Sequence, residues 1–339
     1  STYIAENGVL LCEGERFQRA SSMIVQEIDV ERLRIDRQRN TNFTKDQTGH
    51  YRLVNVAPIE TEMEFTEPTH RHFSAYPFLP EKGQEDSYCM DVFSIQTNAL
   101  ARRWEHTHAD TLVLGISGGL DSTLALLVCV QTADMLGYDR ERIIGVTMPG
   151  FGTSDRTYQN ALQMMDYLGI THREIDICDI TTQHLNSIAH DLDNHDITYE
   201  NAQARMRTLI LMNLANELNG LVVGTGDLSE LALGWATYCG DQMSMYGVNA
   251  GIPKTLVKYM VRYAADNLYA DELRQILLDV VETPVSPELL PTDDEGEIAQ
   301  KTEDKVGPYE LHDFFIYYFL RYGFTREKIR YMAIQAFED

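Results

Sequence analysis

Ser117, Gly118, Gly119, Leu120, Asp121 and Ser122 form a segment whose residue types could hold a phosphate. Two adjacent glycines let the backbone turn tightly and approach a ligand with no Cβ in the way. The residues after Gly119 read as the start of a helix, whose first N–H groups point outward and favour an anion. Ser117 and Ser122 add hydroxyl donors, and Asp121 offers oxygen to a magnesium ion. A Walker A loop would carry a lysine here; this segment has none, so positive charge must come from elsewhere. A bare G-x-G-x-x-G would read first as a turn that binds nothing. The string SGGLDS between a strand and a helix is more specific.

Elements that could place this loop follow from the hydrophobic pattern. Apolar runs predict strands over Thr111–Ile116, Ile143–Met148, His172–Ile177 and Leu221–Val223. Helices between them start near Asp121, Ser154 and Glu200, with Gly137, Gly169 and Gly220 as C-terminal caps. Strands alternating with helices imply an α/β fold, a doubly wound parallel sheet with flanking helices. Ligands of such sheets bind beyond the carboxyl ends of the strands. GISGGLDS follows the first of these strands and GTGDLSE the fourth, so both loops belong to that edge.

Beyond Pro253 the pattern is helical, with helices predicted from about Tyr309 and Thr325. Between them and the preceding helices, Val285–Pro308 has three prolines, many acidic residues and no apolar period, which reads as a loop able to close over a site. The first 78 residues differ. Asn7-Gly8 between two apolar runs predicts a hairpin. MIVQEIDV alternates like a strand, ERLRIDRQRN reads as a short basic helix, and Tyr51–Phe65 alternates again until Pro68. Residues 1–78 therefore read as the end of something larger or as an arm, and residues 79–339 as the main domain.

The formal charge of −24 argues against docking on nucleic acid or an anionic membrane, without excluding a small anionic substrate. The five cysteines are scattered and form no C-x-x-C pair, which disfavours a disulfide framework or structural zinc and points to a reducing, cytoplasmic setting. His184, His190 and His195 have spacings that fit no common metal site. Apolar runs such as LALLVCV and FFIYYFL are too short to span a bilayer.

SGGLDS resembles the pyrophosphate loop of the N-type ATP pyrophosphatases, an adenine nucleotide alpha-hydrolase-like fold that splits ATP between its α and β phosphates. Among them, VVGTGDLSELALGWATYCGDQMSMYGVNAGIPKTLV resembles NAD synthetase in the form fused to a glutaminase. FGTSDRTYQNA, YENAQARMR and TEDKVGPYELHDFFIYYFLRYGF match it in the expected order. The resemblance implies that Gly115, Ile116, Ser117, Gly118, Gly119, Leu120, Asp121, Ser122, Thr225 and Lys254 bind ATP. It implies that Asp121 and Glu230 bind Mg²⁺ and, with Lys254, carry catalysis. It places Asn201, Arg205, Arg207, Glu230, Trp235, Tyr238, Asp241 and Lys305 against the dinucleotide. Each has a plainer reading beside this one: Glu230 could cap a helix, Trp235 and Tyr238 could be core, and one of Arg205 and Arg207 could be solvated.

The implied reaction is the ATP-dependent amidation of nicotinic acid adenine dinucleotide (deamido-NAD) to NAD through an NAD-adenylate. IAENGVLLCEGERF through IVQEIDVERLRIDRQRN resembles the end of the nitrilase-like glutaminase domain. The cysteine, glutamate and lysine of that domain would precede this sequence, so ammonia is the implied nitrogen source. The resemblance also implies a homodimer, and a higher oligomer for the full-length enzyme. Two alternatives stay open: the same ATP chemistry on another acceptor, and a module that binds ATP or AMP without turnover.

Overall fold

The computed structural model describes residues 2–40, 70–80, 82–153, 155–283 and 302–337. In chain order the elements are β1 (Tyr3–Glu6), β2 (Val9–Glu13), α1 (Val30–Arg39), α2 (Glu85–Thr107), β3 (Thr111–Gly115), α3 (Leu120–Leu136), β4 (Ile143–Thr147) and α4 (Asp155–Leu168). Then come β5 (Thr171–Glu174), α5 (Cys178–Ser187), α6 (Ile197–Glu217), β6 (Gly220–Gly224), α7 (Leu228–Leu233), β7 (Tyr246–Gly247), α8 (Lys254–Asn267) and α9 (Asp271–Glu282). The chain closes with α10 (Thr302–Val306), α11 (Tyr309–Tyr322) and α12 (Arg326–Ala336). No described helix is long and apolar enough to cross a membrane. By contacts the chain divides into two units, one of Ser1–Phe78 with Phe314–Asp339, the other Leu79–Asp313.

The larger unit is built on a parallel sheet ordered β5-β4-β3-β6-β7. Side chains alternate across it, as the pleat requires. Leu112 and Leu114 of β3 enter the core shared by α2, α3, α8 and α9, while Val113 enters a second core with Val146, Val222 and Leu214 of α6. Covered on both faces, β3 and β4 need near-continuous apolar sequence and have it. The edge strand β5, THRE, is half exposed and polar. Helix α3 is buried nearly all round, with twelve of its residues inside, so it lies within the layers and has no solvent stripe. Chain order runs outward from β3 to β5, then returns to place β6 on the other side of β3. That reversal opens a crevice at the carboxyl ends of β3 and β6.

Most sequence expectations for this unit hold, with corrections at its joints. Gly137 and Gly169 take left-handed conformations at helix ends, φ +66° and +67°. Gly220 does not cap a helix: Asn219 takes the left-handed position, φ +45°, and Gly220 begins β6. An added Cβ there would lie 2.7 Å from Thr111 Oγ1, so glycine serves strand packing. Helix α5 was not expected, because its threonines and asparagine are weak helix formers. Helix α6 starts at Ile197, three residues before Glu200, since the Asp196 carboxylate accepts from the Thr198 and Tyr199 amides. Most of the Val285–Pro308 loop lies outside the described residues, and its end forms α10.

In the smaller unit Asn7 and Gly8, at φ +49° and +83°, turn the β1–β2 hairpin as expected. The basic stretch forms α1. MIVQEIDV forms no strand. Its backbone is committed elsewhere: Asp29 caps α1 through the Arg32 amide and donates its own N–H to Glu6 at 2.6 Å. The alternating stretch at Tyr51–Phe65 lies outside the described residues. Phe314, Phe324, Ile329 and Met332 form the core of this unit, with Ile35 and Phe73 against it.

Glu6 is a buried charge of this unit, 5% exposed, and accepts from Arg71 at 2.8 and 3.0 Å. Burial alone would raise its pKa, but the hydrogen bonds and charge of Arg71 hold it below the ordinary 4.5. A carboxyl so depressed stabilises fully above about pH 4.5, and the contribution disappears as pH falls through the lower folded value. Thermal melts of the chain from pH 6 to 3 should therefore show an acid-side loss that Glu6→Gln flattens. Parallel curves for the two proteins would sink this expectation.

Candidate active site

Strand β3 ends at Gly115, and Ile116 is buried with its N–H donated to Val146 O at 2.9 Å. The loop after it braces itself. Ser122 Oγ donates to Gly119 O at 3.1 Å and accepts from the Ser117 amide at 3.3 Å, while Ser117 Oγ accepts from the Gly119 amide at 3.2 Å. Gly118 sits at φ +87°, where an added Cβ would fall 2.1 Å from Thr157 O. No side chain caps α3, whose N-cap is Gly119, so the amides that open at Leu120 and Asp121 face the crevice uncapped by the protein. This is the arrangement that receives anions at helix N-termini.

The second loop follows β6. Thr225 is joined to the first loop by Asn249, a fully buried residue whose Nδ2 donates to Asp121 O at 2.9 Å and to Thr225 O at 3.0 Å. Asn249 Oδ1 in turn accepts from Gln96 Nε2 at 3.1 Å. Asp227 caps α7 through the Glu230 amide at 2.9 Å. Glu230 is thereby freed from the capping role its position allowed, and its carboxylate reaches into the crevice.

Lys254, the first residue of α8, brings these parts together. Its Nζ lies 2.6 Å from Asp121 Oδ2, 2.7 Å from Asp227 Oδ2 and 2.8 Å from Glu230 Oε1. The lysine side chain is 4% exposed. The ring of Tyr309 in α11 covers it, 5.4 Å from Nζ to the centroid. Burial pushes the Glu230 carboxyl up to about 7 and Asp227 up to about 6, with neighbouring carboxylates adding to the rise and Lys254 opposing it. Burial would lower Lys254, but three carboxylates outweigh it and keep the ammonium charged.

Asp121, Asp227 and Glu230 bring one oxygen each within 4.8 Å of the others. Asp121 Oδ1 is buried and has no hydrogen-bond partner among the described residues. One ammonium against three carboxylates leaves negative charge over. An all-oxygen set with a spare buried lone pair fits a hard divalent cation such as Mg²⁺, and among the described residues the group holds no histidine or cysteine. Of the histidines rejected from sequence, His190 sits 3.1 Å from Asp196 Oδ1 and His195 packs on Tyr199.

A third group forms between α6 and the chain after α7. Thr237 Oγ1 donates to Asn201 Oδ1 at 2.7 Å, Arg205 Nε donates to Tyr238 O at 3.1 Å, and the Thr237 amide donates to Asp241 Oδ1 at 2.7 Å. Trp235 and Tyr238 are 39% and 76% exposed, so neither is core. Arg207 Nε donates to Met148 O at 3.2 Å. Lys305 is exposed on α10 and makes no ion pair with a described residue. Asp227, Asn249 and Tyr309 were not singled out in the sequence, although all three stand inside strings that carry its resemblance.

Residues 92–330 match the family model described as NAD synthase. The whole chain is 42% identical to the glutamine-dependent NAD(+) synthetase of Mycobacterium leprae, covering 51% of that protein. It is 39% identical to the protein of the same name from Mycobacterium tuberculosis, again covering 51% of it. The chain thus spans about half the length of these curated relatives. Among solved structures, NMN synthetase from Francisella tularensis shares the fold at a TM-score of 0.57 and 22% identity, over 73% of this chain and 92% of that one.

Proposed function

We propose a function from one premise: the chain belongs to the NAD synthase family. In this reading it amidates deamido-NAD to NAD, consuming ATP and ammonia and releasing AMP and pyrophosphate. The observation that carries the reading is the meeting of Lys254 with Asp121, Asp227 and Glu230 beside the uncapped N-terminus of α3.

ATP lies with its phosphates on the Ser117–Ser122 loop, where the amides of α3 and the serine hydroxyls meet them. Asp121, Glu230 and Asp227 would hold Mg²⁺, which supplies positive charge against the phosphates. Lys254 turns its ammonium from the carboxylates toward the same phosphates, and this is why the loop itself carries no lysine. Asn201 and Arg205 hold the dinucleotide, Trp235 and Tyr238 offer their exposed rings to the pyridine, and Asp241 fixes their turn through Thr237. Lys305 and Arg207 belong to the same reading as residues that approach when substrate binds.

A pyridine carboxylate oxygen then attacks the α-phosphorus, and the bond to the bridging oxygen of the β-phosphate breaks. Pyrophosphate leaves, and the developing negative charge falls on Lys254 and the loop amides, usually the largest catalytic contribution. Ammonia next attacks the activated acyl carbon, the carbon–oxygen bond to AMP breaks, and the nitrogen loses a proton. Neither step needs a serine or cysteine nucleophile. A homodimer, within a higher oligomer for the longer enzyme, and a cytoplasmic location complete the proposal.

The test is NAD formation from deamido-NAD, ATP and Mg²⁺ with ammonia or glutamine as donor. Turnover with ammonia and not glutamine, abolished by Asp121→Ala, supports the reading. ATP cleavage that depends on another carboxylate, or on none, would count against it.

A further inference from the structure

Helix α8 delivers Lys254 to the carboxylates, yet its own N-terminus has no cap from the residue in the capping place, Pro253. Two buried side chains from elsewhere do that work. Ser229 Oγ accepts from the Lys254 amide at 2.9 Å, and Asp313 Oδ2 accepts from the Thr255 amide at 2.9 Å. Ser229 Oγ also donates to Asp313 Oδ1, which closes the chain of contacts. Ser229 is fully buried and Asp313 is 1% exposed. An anion here also complements the positive end of α8.

The position of Ser229 gives this arrangement its meaning. It lies in α7 between Asp227 and Glu230, two of the carboxylates on Lys254 Nζ. One hydroxyl therefore ties the backbone of Lys254 to the helical turn that carries the lysine's side-chain partners. Asp313 locks that hydroxyl, and one turn earlier on α11 Tyr309 covers the ammonium. Asp313 touches neither the ammonium nor the crevice loop. We infer that Asp313, through Ser229 and the first turn of α8, is a positioning residue that fixes Lys254 relative to Asp121, Asp227 and Glu230. The inference rests on the role proposed above for Lys254 at the phosphates.

Two variants of the full chain test it, Asp313→Asn and Ser229→Ala, each breaking one link. The first readout is independent of activity: acetylation of Lys254 by acetic anhydride, followed by mass spectrometry and referenced to exposed Lys258 on the same helix. Both variants should raise the Lys254 rate, and both should raise KM for ATP on the order of tenfold to a hundredfold, the usual cost of losing such a supporting partner. A loss of folded fraction alone lowers kcat and leaves KM for ATP unchanged. Wild-type acetylation of Lys254 and wild-type KM for ATP in the folded variants overturn the inference. If Asp313→Asn yields no folded chain, Ser229→Ala decides by the same two readouts. Faster acetylation in the variants, with Lys254→Met itself leaving KM for ATP unchanged, would uphold the positioning and remove the proposed role of the lysine.

Discussion

In Mg²⁺-free buffer, Lys254→Met should lower the melting temperature of the larger unit by roughly 6–20 °C. The lysine is the sole cation among three carboxylates in the described site, and Asp227 is completely enclosed. Removing one partner from a buried ion cluster typically costs about 3–5 kcal/mol, because the remaining charges stay buried without compensation. Replacing every member by apolar groups would be a different experiment, since the penalty comes from the charges left behind. Methionine matches the length of the stem, so packing under Tyr309 changes little. Saturating Mg²⁺ should restore more stability to the variant than it adds to the wild type, since the ion then finds the oxygens free. Catalysis should not return with it: adenylation should stay about 10²–10³ below wild type, the usual loss when a phosphate-facing charge is removed. Calorimetry with and without Mg²⁺ reads the first part. An unchanged melting temperature without the ion would mean that Lys254 is not the counterion of the cluster.

Gly118→Ala should nearly eliminate ATP binding while leaving the sheet folded. The new Cβ would sit 2.1 Å from the carbonyl oxygen of Thr157 and 2.8 Å from its carbonyl carbon. Both are backbone atoms, so no rotamer relieves the contact. The loop must move, and its φ of +87° is unfavourable for alanine even in open space. Displacement of the phosphate cradle by about 1 Å is enough to cost on the order of 10²-fold in rate. Gly137→Ala supplies the comparison. It too has positive φ, +66°, but nothing lies within 4 Å of its added Cβ. It should cost stability without changing KM for ATP, and equal effects of the two substitutions on ATP binding would refute the steric argument.

How much of this could be read in the sequence depended on whether a residue's role was local. Strands β3, β4 and β6 announce themselves because a sheet covered on both faces demands continuous apolar runs. The Ser117–Ser122 loop is also local, a set of small residues between strand and helix. Asp227 escaped because the sequence offered Glu230 as the capping residue of this turn, whereas Asp227 takes the cap and reaches Lys254 as well. Asn249 and Asp313 escaped for another reason. Their partners stand 128 and 84 residues away, and no spacing rule connects them. MIVQEIDV shows the opposite error, an alternation with the period of a strand on a backbone whose donor is taken by Glu6. Trp235 and Tyr238 could have been core by spacing, and only their exposure decides the matter.

The return of β6 to the side of β3 opposite β4 also has a consequence for how the chain is made. Asp110 and Asn219, which join at the foot of these two strands, are 109 positions apart. On a ribosome adding about 5–20 residues per second, β3 therefore waits about 5–20 seconds for its second neighbour. During that interval one edge of a strongly apolar strand has no partner, a template for pairing with another nascent chain. The same reversal that opens the crevice thus makes this half of the sheet the hazardous part of biosynthesis. Fast translation across α4, α5 and α6, or a holdase bound to β3, would shorten or shield that wait.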